Sequence, residues 1–266
     1  MRITIVGGGQ MGRALVGGML AKQVLSEENV RIVDPDQGSQ AWWKEQYPQT
    51  MVENDLVAAA KDSDVVILAV KPNIIPNVAQ RSDDLWSGKL LVSIAAGIGM
   101  QQLCGWIGHQ RVARVMPNTP CLVGEGACGF CIGSDVSDED SASIQSMLSS
   151  VGLAVQVDEK QMDAVTGLSG SGPAYVCLMV EALADGGVLA GLPRPLAMKL
   201  AAQTLLGAAK MIAETGRHPG ELKDAVASPG GTTIAALAVM EQNGVRGALI
   251  DAVKASADRS RELGQG

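Results

Sequence analysis

The sequence predicts two parts of different architecture. Residues 1–160 read as an α/β domain on a doubly wound, mostly parallel sheet. Residues 161–266 read as an all-α domain that associates with a second copy. Three observations predict this. Short apolar runs alternate with helical patterns at about 30-residue spacing through the first part. No convincing strand pattern follows residue 160. One C-terminal helix is apolar on nearly every face, so something outside its own domain must cover it.

Taken in order, the strand candidates are residues 3–6, 30–33, 65–69, 90–94 and 112–116. They are near-continuous runs of Val, Ile and Leu, as expected of strands covered on both faces. Residues 127–132 and 154–157 are expected to add edge strands. Amphipathic stretches such as 10–21 and 54–61 supply crossover helices. The uncharged stretch 90–110 is long enough to span a bilayer, but it holds Gln101, Gln102, His109, Gln110 and four glycines. It reads as a buried strand, a turn and a short helix. Beyond Lys160, residues 162–168, 173–190, 195–215, 220–227, 232–243 and 246–263 read as helices. Pro173, Pro195 and Pro219 sit near helix starts and Gly191, Gly216 and Gly244 at helix ends. Residues 175–190 carry only Glu181 and Asp185 as charges, so this helix is expected in a subunit interface.

The chain has 266 residues, a net charge of −7 and an apolar fraction of 47%. One or two domains with a sizeable core fit that length, and a disordered chain is excluded. The acidic balance argues against a nucleic-acid binder, which needs a phosphate-neutralising surface. Few aromatics and 32 glycines suggest closely packed helices. The N-terminus lacks the long apolar run of an export signal, and five cysteines is an odd number. Free thiols in the cytoplasm are the expectation, with no membrane association. Cys128 and Cys131 form a C-x-x-C inside an apolar, strand-like run without a second pair, and are expected to be buried thiols. The two histidines, His109 and His218, form no local metal motif, and no metal is expected.

Gly7-Gly8-Gly9-Gln10-Met11-Gly12 matches G-x-G-x-x-G between a predicted strand and a predicted helix, the context that gives this motif its weight. Gly7 would make the tight turn, Gly9 would let the backbone approach a pyrophosphate, and Gly12 would let the helix pack on the sheet. The helix start, with Gln10 and Met11, offers free N–H groups to the phosphates. Asp34 follows the second strand, 22 residues after Gly12, where a carboxylate would accept from adenosine ribose hydroxyls. That favours NADH over NADPH. Three later strand ends are expected to line the cofactor crevice: Ala69, Val70, Lys71 and Pro72; Ala95, Ala96 and Gly97; and Asn118.

Two further runs of small residues feed helices: residues 169–175, and Ser228-Pro229-Gly230-Gly231-Thr232-Thr233. In the second, Gly230 and Gly231 permit close backbone approach, and Thr232 and Thr233 add hydroxyls at a helix N-terminus. Such a loop can hold a carboxylate on backbone N–H groups, or be an ordinary capped turn.

Together, these motifs resemble pyrroline-5-carboxylate reductase along essentially the whole chain. The run His218-Pro219-Gly220-Glu221-Leu222-Lys223-Asp224, continuing into Ser228–Thr233, looks like the family signature. The resemblance implies an N-terminal Rossmann domain and a helical C-terminal dimerisation domain that interlocks with a second subunit. Dimers of the family often assemble into decamers. It implies hydride transfer from NADPH or NADH to L-Δ1-pyrroline-5-carboxylate, giving L-proline in the last step of proline biosynthesis. By the same resemblance Ser228, Gly230, Gly231, Thr232 and Thr233 hold the substrate carboxylate, and the Thr233 hydroxyl lies nearest the ring nitrogen as the catalytic side chain. Many family members carry a small polar residue where this chain has Asp34.

The chemistry is consistent with this assignment. A cyclic iminium is already an electrophile, so neither a metal nor a strong acid is needed. A β-hydroxyacid dehydrogenase would need a general acid or base, usually a lysine early in the second domain. Residues 161–198 contain no lysine. A non-catalytic dinucleotide sensor would not need the 228–233 loop.

Overall fold

Eight strands form one sheet in the computed structural model, which describes residues 1–80 and 84–264. They are β1 (Ile3–Val6), β2 (Val30–Val33), β3 (Met51–Glu53), β4 (Val65–Leu68), β5 (Leu90–Ser93), β6 (Val112–Met116), β7 (Gly126–Ile132) and β8 (Gly152–Gln156). Their order is β3-β2-β1-β4-β5-β6-β7-β8. All neighbours are parallel except β6 and β7. The chain order reverses at β1, between β2 and β4. Beyond the carboxyl ends of strands at such a reversal lies the crevice where ligands of this fold bind.

Helices cover both faces because strand side chains alternate. Ile3, Ile5, Val30, Ile32, Val65 and Ile67 pack with residues of α1 (Gln10–Ala21), α2 (Gln37–Gln46) and α6 (Asp138–Ser149). Val6, Val33, Val66 and Leu68 pack with those of α3 (Leu56–Ala60), α4 (Ile75–Ala79) and α5 (Met100–Ile107). Thr4, a polar residue within β1, is satisfied by Ala59 O at 3.0 Å and Ser63 Oγ at 2.7 Å.

Every expected strand is present, and stretch 90–110 is the expected strand, turn and helix. One expectation changes: β7 is an interior strand, because β8 returns through α6 and pairs parallel with its outer side. Two elements carried no readable pattern. β3 has three residues, and α2 buries only Ser39 and Trp43, so it lacks apolar periodicity.

The helical part contains α7 (Met162–Val165), α8 (Gly172–Leu189), α9 (Arg194–Thr215), α10 (Pro219–Ala225), α11 (Thr232–Gln242) and α12 (Val245–Gly264). Residues 169–171, expected in a loop, stand instead at the end of a π-helical turn, Thr166–Gly170, that leads into α8. By contacts, one compact unit comprises Met1–Ser171 plus the chain from Ala255 on, and the other Gly172–Lys254. The division therefore differs from the expected 160/161 boundary, for visible reasons. Asn118 Nδ2 donates to Ser169 O at 3.0 Å, and Ser260 Oγ donates to Asp163 Oδ1 at 2.7 Å. Ser171 and Ser256 pair through their hydroxyls at 2.8 Å.

The second unit has little core of its own. Ala184, Ala197 and Ala201 are buried where α8 meets α9, and a Cβ on Gly187 would lie 3.1 Å from Ala197 Cβ. Val176, Leu178, Leu183, Leu189, Leu206 and Ile234 are exposed. The helices Glu159–Leu189 and Arg194–Thr215 are apolar and long enough to cross a membrane, and little of either is buried.

Candidate active site

The loop after β1 is shaped by glycine at the positions the sequence marked. Gly7 has φ +103°, and a Cβ there would lie 2.6 Å from Ala69 O. A Cβ on Gly12 would lie 2.5 Å from Gly7 O, so α1 can approach β1 only with glycine there. Around Gly9 nothing lies within 4 Å of a Cβ position. Gly9 is the N-cap of α1 and brings no side chain to cap it. The first turn of α1, with Gln10 and Met11, therefore presents backbone N–H groups and the positive end of a helix dipole to open space. These features fit a pyrophosphate.

Gly8 has the opposite character. Its N–H donates to Asp34 Oδ2 at 2.7 Å. Its carbonyl accepts from Trp43 Nε1 at 2.9 Å, Ser39 Oγ at 3.1 Å and Arg13 Nε at 3.2 Å. The Arg13 guanidinium also lies 4.0 Å from the centre of the Trp42 ring. Ser39 and Trp43 were not foreseen, because their role depends on α2 folding back over the loop from more than thirty residues away.

Asp34 is buried at the end of β2. Besides Gly8 N, its Oδ2 accepts from Ser39 Oγ at 2.9 Å, and Oδ1 accepts from Asp36 N at 2.9 Å. A carboxylate has about four lone-pair positions, so one on Oδ1 remains for a ligand hydroxyl. Asp36 caps α2 by accepting from Ser39 N at 2.6 Å. Gln40 Nε2 donates to Asp34 O at 2.7 Å and also to Asn54 Oδ1. The strand end thus gathers two carboxylates; Arg31 of β2 turns away to Ala58 O, Ala59 O and Asp62, and Arg13 is held on the Gly8 carbonyl and the Trp42 ring.

The other expected crevice residues divide by role. Ala69 and Val70 abut Gly7, and Lys71 is exposed just before the short turn Pro72–Ile74. Ala96 is half-buried. Ala95 differs from expectation: it points into the core beneath α5, so only its backbone can face the crevice. Gly97 has φ +73° and is approached by Leu263 of α12. Asn118 has a structural task as well. Its Oδ1 accepts from Ala127 N at 2.9 Å and its Nδ2 donates to Ser169 O. Both ends of that amide serve as a brace for the β6 strand end, and the second N–H of its NH2 group remains for a ligand.

A further unforeseen network joins β6, β7 and the approach to α7. Glu159 Oε1 accepts from Arg114 Nη1 at 2.8 Å and from Met100 N at 3.1 Å, and Oε2 accepts from the Cys131 thiol at 2.7 Å. Burial opposes ionisation of Glu159. The hydrogen bonds from Cys131, Met100 and Arg114 outweigh it and hold the carboxyl below its ordinary range.

The second site lies in the other unit. Gly231 N donates to Ser228 O at 3.0 Å, Gly230 takes φ +66°, and Gly231 is the N-cap of α11. A Cβ on Gly231 would collide with Ser228 Oγ. No side chain caps α11, so the N–H groups of Thr232 and Thr233 are available to an anion, with the Thr233 hydroxyl beside them. His218 Nδ1 accepts from Gly220 N at 3.1 Å and caps α10, leading into this loop. Of the expected site residues, the glycine loop, Asp34 and the strand ends belong to the first unit, and Ser228 to Thr233 to the second.

Comparison with known proteins gives concordant results. The pyrroline-5-carboxylate reductase dimerisation family matches residues 159–263, and the NADP oxidoreductase coenzyme F420-dependent family matches residues 2–97. A pyrroline-5-carboxylate reductase of Arabidopsis thaliana is 45% identical over 265 residues, covering 99% of this chain and 96% of its own. That of Synechocystis is 44% identical, covering 100% and 99%. Among solved structures, a pyrroline-5-carboxylate reductase from Coxiella burnetii has TM-score 0.92 at 35% identity, covering 98% of both chains. A Plasmodium falciparum pyrroline carboxylate reductase with NADP bound has TM-score 0.89 at 33% identity, covering 99% and 98%.

Proposed function

Because this chain belongs to the pyrroline-5-carboxylate reductase family, we propose that its two anion-binding loops divide the reaction between them. It is an NAD(P)H-dependent oxidoreductase that reduces L-Δ1-pyrroline-5-carboxylate to L-proline, the last step of proline biosynthesis. The nicotinamide cofactor, when bound, supplies the hydride.

The loop of Gly7, Gly9 and Gly12 and the first turn of α1 receive the pyrophosphate, while Asp34 clamps the loop and offers its remaining lone pair to the adenosine ribose. Asp34 and Asp36 together repel a 2′-phosphate, and NADH is the preferred cofactor. Ala69, Val70, Lys71, Pro72, Ala96 and Gly97 line the nicotinamide side of the crevice. Ser228, Gly230, Gly231, Thr232 and Thr233 hold the substrate carboxylate on N–H groups of α11. That choice suits a small anion, since fixed amide dipoles attract it without a mobile cation. The Thr233 hydroxyl donates to the ring nitrogen and orients the C=N carbon toward the hydride donor, which is the main task left to the protein when the substrate is already electrophilic.

The uncovered apolar faces of α8 and α9 support a homodimer through the helical unit, in keeping with the matched dimerisation family. Further assembly toward decamers is an expectation that mass by light scattering tests. All five cysteines are free, which supports a cytoplasmic setting.

The observation that carries the cofactor assignment is the buried Asp34 carboxylate with Asp36 beside it, two carboxylates where the adenosine ribose is expected. The test follows the loss of nicotinamide absorbance after adding pyrroline-5-carboxylate, with NADH and NADPH in separate cuvettes. Oxidation faster with NADH at equal concentration is expected. Faster oxidation with NADPH would overturn the role given to Asp34, and no oxidation with either would overturn the division of labour itself.

A further inference from the structure

The C-x-x-C of the sequence is not the cysteine pair that the fold brings together. Cys128 and Cys131 are three residues apart on β7, so their side chains leave opposite faces of the strand. Cys131 is taken up by Glu159. Cys128 instead meets Cys121, on the 3-10 turn Thr119–Val123, with the two sulfurs 3.7 Å apart. A disulfide needs about 2.05 Å, so closure asks for a movement of about 1.7 Å. That movement falls on a single turn whose next residues, Leu122, Val123 and Gly124, are exposed.

The two thiols are unequal. A hydrogen bond from Cys128, aided by backbone N–H groups, brings the Cys121 thiol down to about 7 despite burial. The Cys128 thiol is pushed up, first by its bond to Cys121 and then by burial. Cys121, on a turn next to exposed residues, is placed as the attacking sulfur and Cys128, within β7, as the resolving one. Cys121 also lines a cavity of about 800 Å³ with Arg13, Lys22, Trp42, Tyr47 and Glu125. Two cationic side chains against one carboxylate, with two aromatic rings, suit a small, zwitterionic to anionic, peptide-like disulfide.

We propose that Cys121 and Cys128 are a redox-modification site that forms a reversible internal disulfide on reaction with a low-molecular-weight disulfide of the glutathione type, and that the oxidised enzyme uses its cofactor less well. The Cys121 thiolate attacks one sulfur of the small disulfide, breaking its S–S bond and releasing one thiolate. The Cys128 thiol gives up its proton, attacks Cys121 Sγ in the mixed disulfide and displaces the second small thiolate. Two protein thiols are oxidised and one small disulfide is reduced to two thiols. The effect reaches the crevice through Asn118, because Cys121 N donates to Asn118 O at 3.1 Å and the Asn118 amide braces both β7 and Ser169.

Incubating the enzyme with glutathione disulfide, then alkylating and mapping peptides without reduction, tests this. A linked pair of peptides carrying Cys121 and Cys128 is expected, with kcat/KM for NADH lowered about threefold or more and restored by dithiothreitol. Cys121→Ala and Cys128→Ala should keep the rate of the reduced enzyme and lose the response. Absence of the linked peptides overturns the proposal, as does linkage with unchanged kcat/KM. Should Cys128→Ala fail to fold, the map and kinetics of the unmutated enzyme decide by themselves.

Discussion

The first unit buries Trp43, Trp86 and Phe130 within clusters that cover both faces of its sheet, whereas the second buries three alanines. Both are rich in apolar residues. The difference lies in where those residues find partners. The sheet supplies two faces to its own helices. In the second unit, α8 and α9 approach closely through Gly187 and Ala197, and that contact leaves Leu178, Leu183, Leu189 and Leu206 pointing outward. Apolar content fixes how much surface must be buried, and the size of the residues at the helix contact fixes whether one chain can bury it.

A charge in the uncovered face should break this comparison most sharply. On the proposed dimer, Leu178→Asp is expected to reduce activity about 100-fold or more by placing an unpaired carboxylate on the face that a second copy would cover. Light scattering should show monomers, while NADH binding by the first unit persists. An active monomer would show that the second unit completes itself.

Gly7→Ala tests the self-sufficient side. The strained φ and the collision with Ala69 O should weaken NADH binding about 100-fold, a cost of about 3 kcal/mol. The oligomer should be unchanged, and equilibrium titration against fluorescence checks it. Normal affinity would mean the loop rearranges at little cost.

Thr233→Ala is expected to lower kcat/KM for pyrroline-5-carboxylate about 10- to 100-fold, the scale of one oriented hydrogen bond in a dry site. The Kd for NADH should not move. Steady-state kinetics with a parallel binding titration separates the two units' contributions.

Asp34→Ser should weaken both cofactors, because Gly8 N loses its acceptor. It should also raise the NADPH/NADH ratio of kcat/KM about tenfold, or about 1.4 kcal/mol, by relieving repulsion of a 2′-phosphate. An unchanged ratio would leave Asp34 a loop clamp alone.

The smallest expected effect concerns acid stability in the first unit. Asp140 accepts from Arg111 Nε at 2.8 Å and Nη2 at 2.7 Å, and this bond holds its carboxyl below the usual range. A depressed carboxyl stabilises the fold above its unfolded value, near pH 4, and the contribution fades as pH falls through the lower folded value. Asp140→Asn should therefore lower Tm by about 2 °C at neutral pH, and by less as the pH drops below 4. A Tm difference constant with pH would assign the loss to packing.

Much of this was legible in the sequence where local chemistry forces the outcome. Gly7 and Gly12 could be read because backbone approaches there exclude any Cβ, and the 228–233 loop because a helix must start after Gly231. The alternation of strands and helices followed from period and composition. What escaped depends on distant chain coming together. Trp43 and Ser39 close over Gly8 only after α2 forms, and α2 has no apolar stripe. Asn118 could be read as a crevice residue, but its bracing bonds to Ala127 and Ser169, nine and more residues away, could not. The return of α12, which carries Ser256 and Ser260 back to the first unit, also escaped, because no local composition reveals which unit a helix will join.

That return of α12 has a bearing on how the protein is made. Ser171 and Asp163, among the earliest residues of the helical part, find their partners Ser256 and Ser260 only when the ribosome has also finished the whole of Gly172–Lys254. At ordinary elongation rates of roughly 5–20 residues per second, the nascent nucleotide-binding unit waits on the order of ten seconds with that seam open. The sheet can form meanwhile, but its last surface is sealed only once α12 emerges. Completion of the first-made unit is thereby tied to synthesis of the apolar helices α8 and α9.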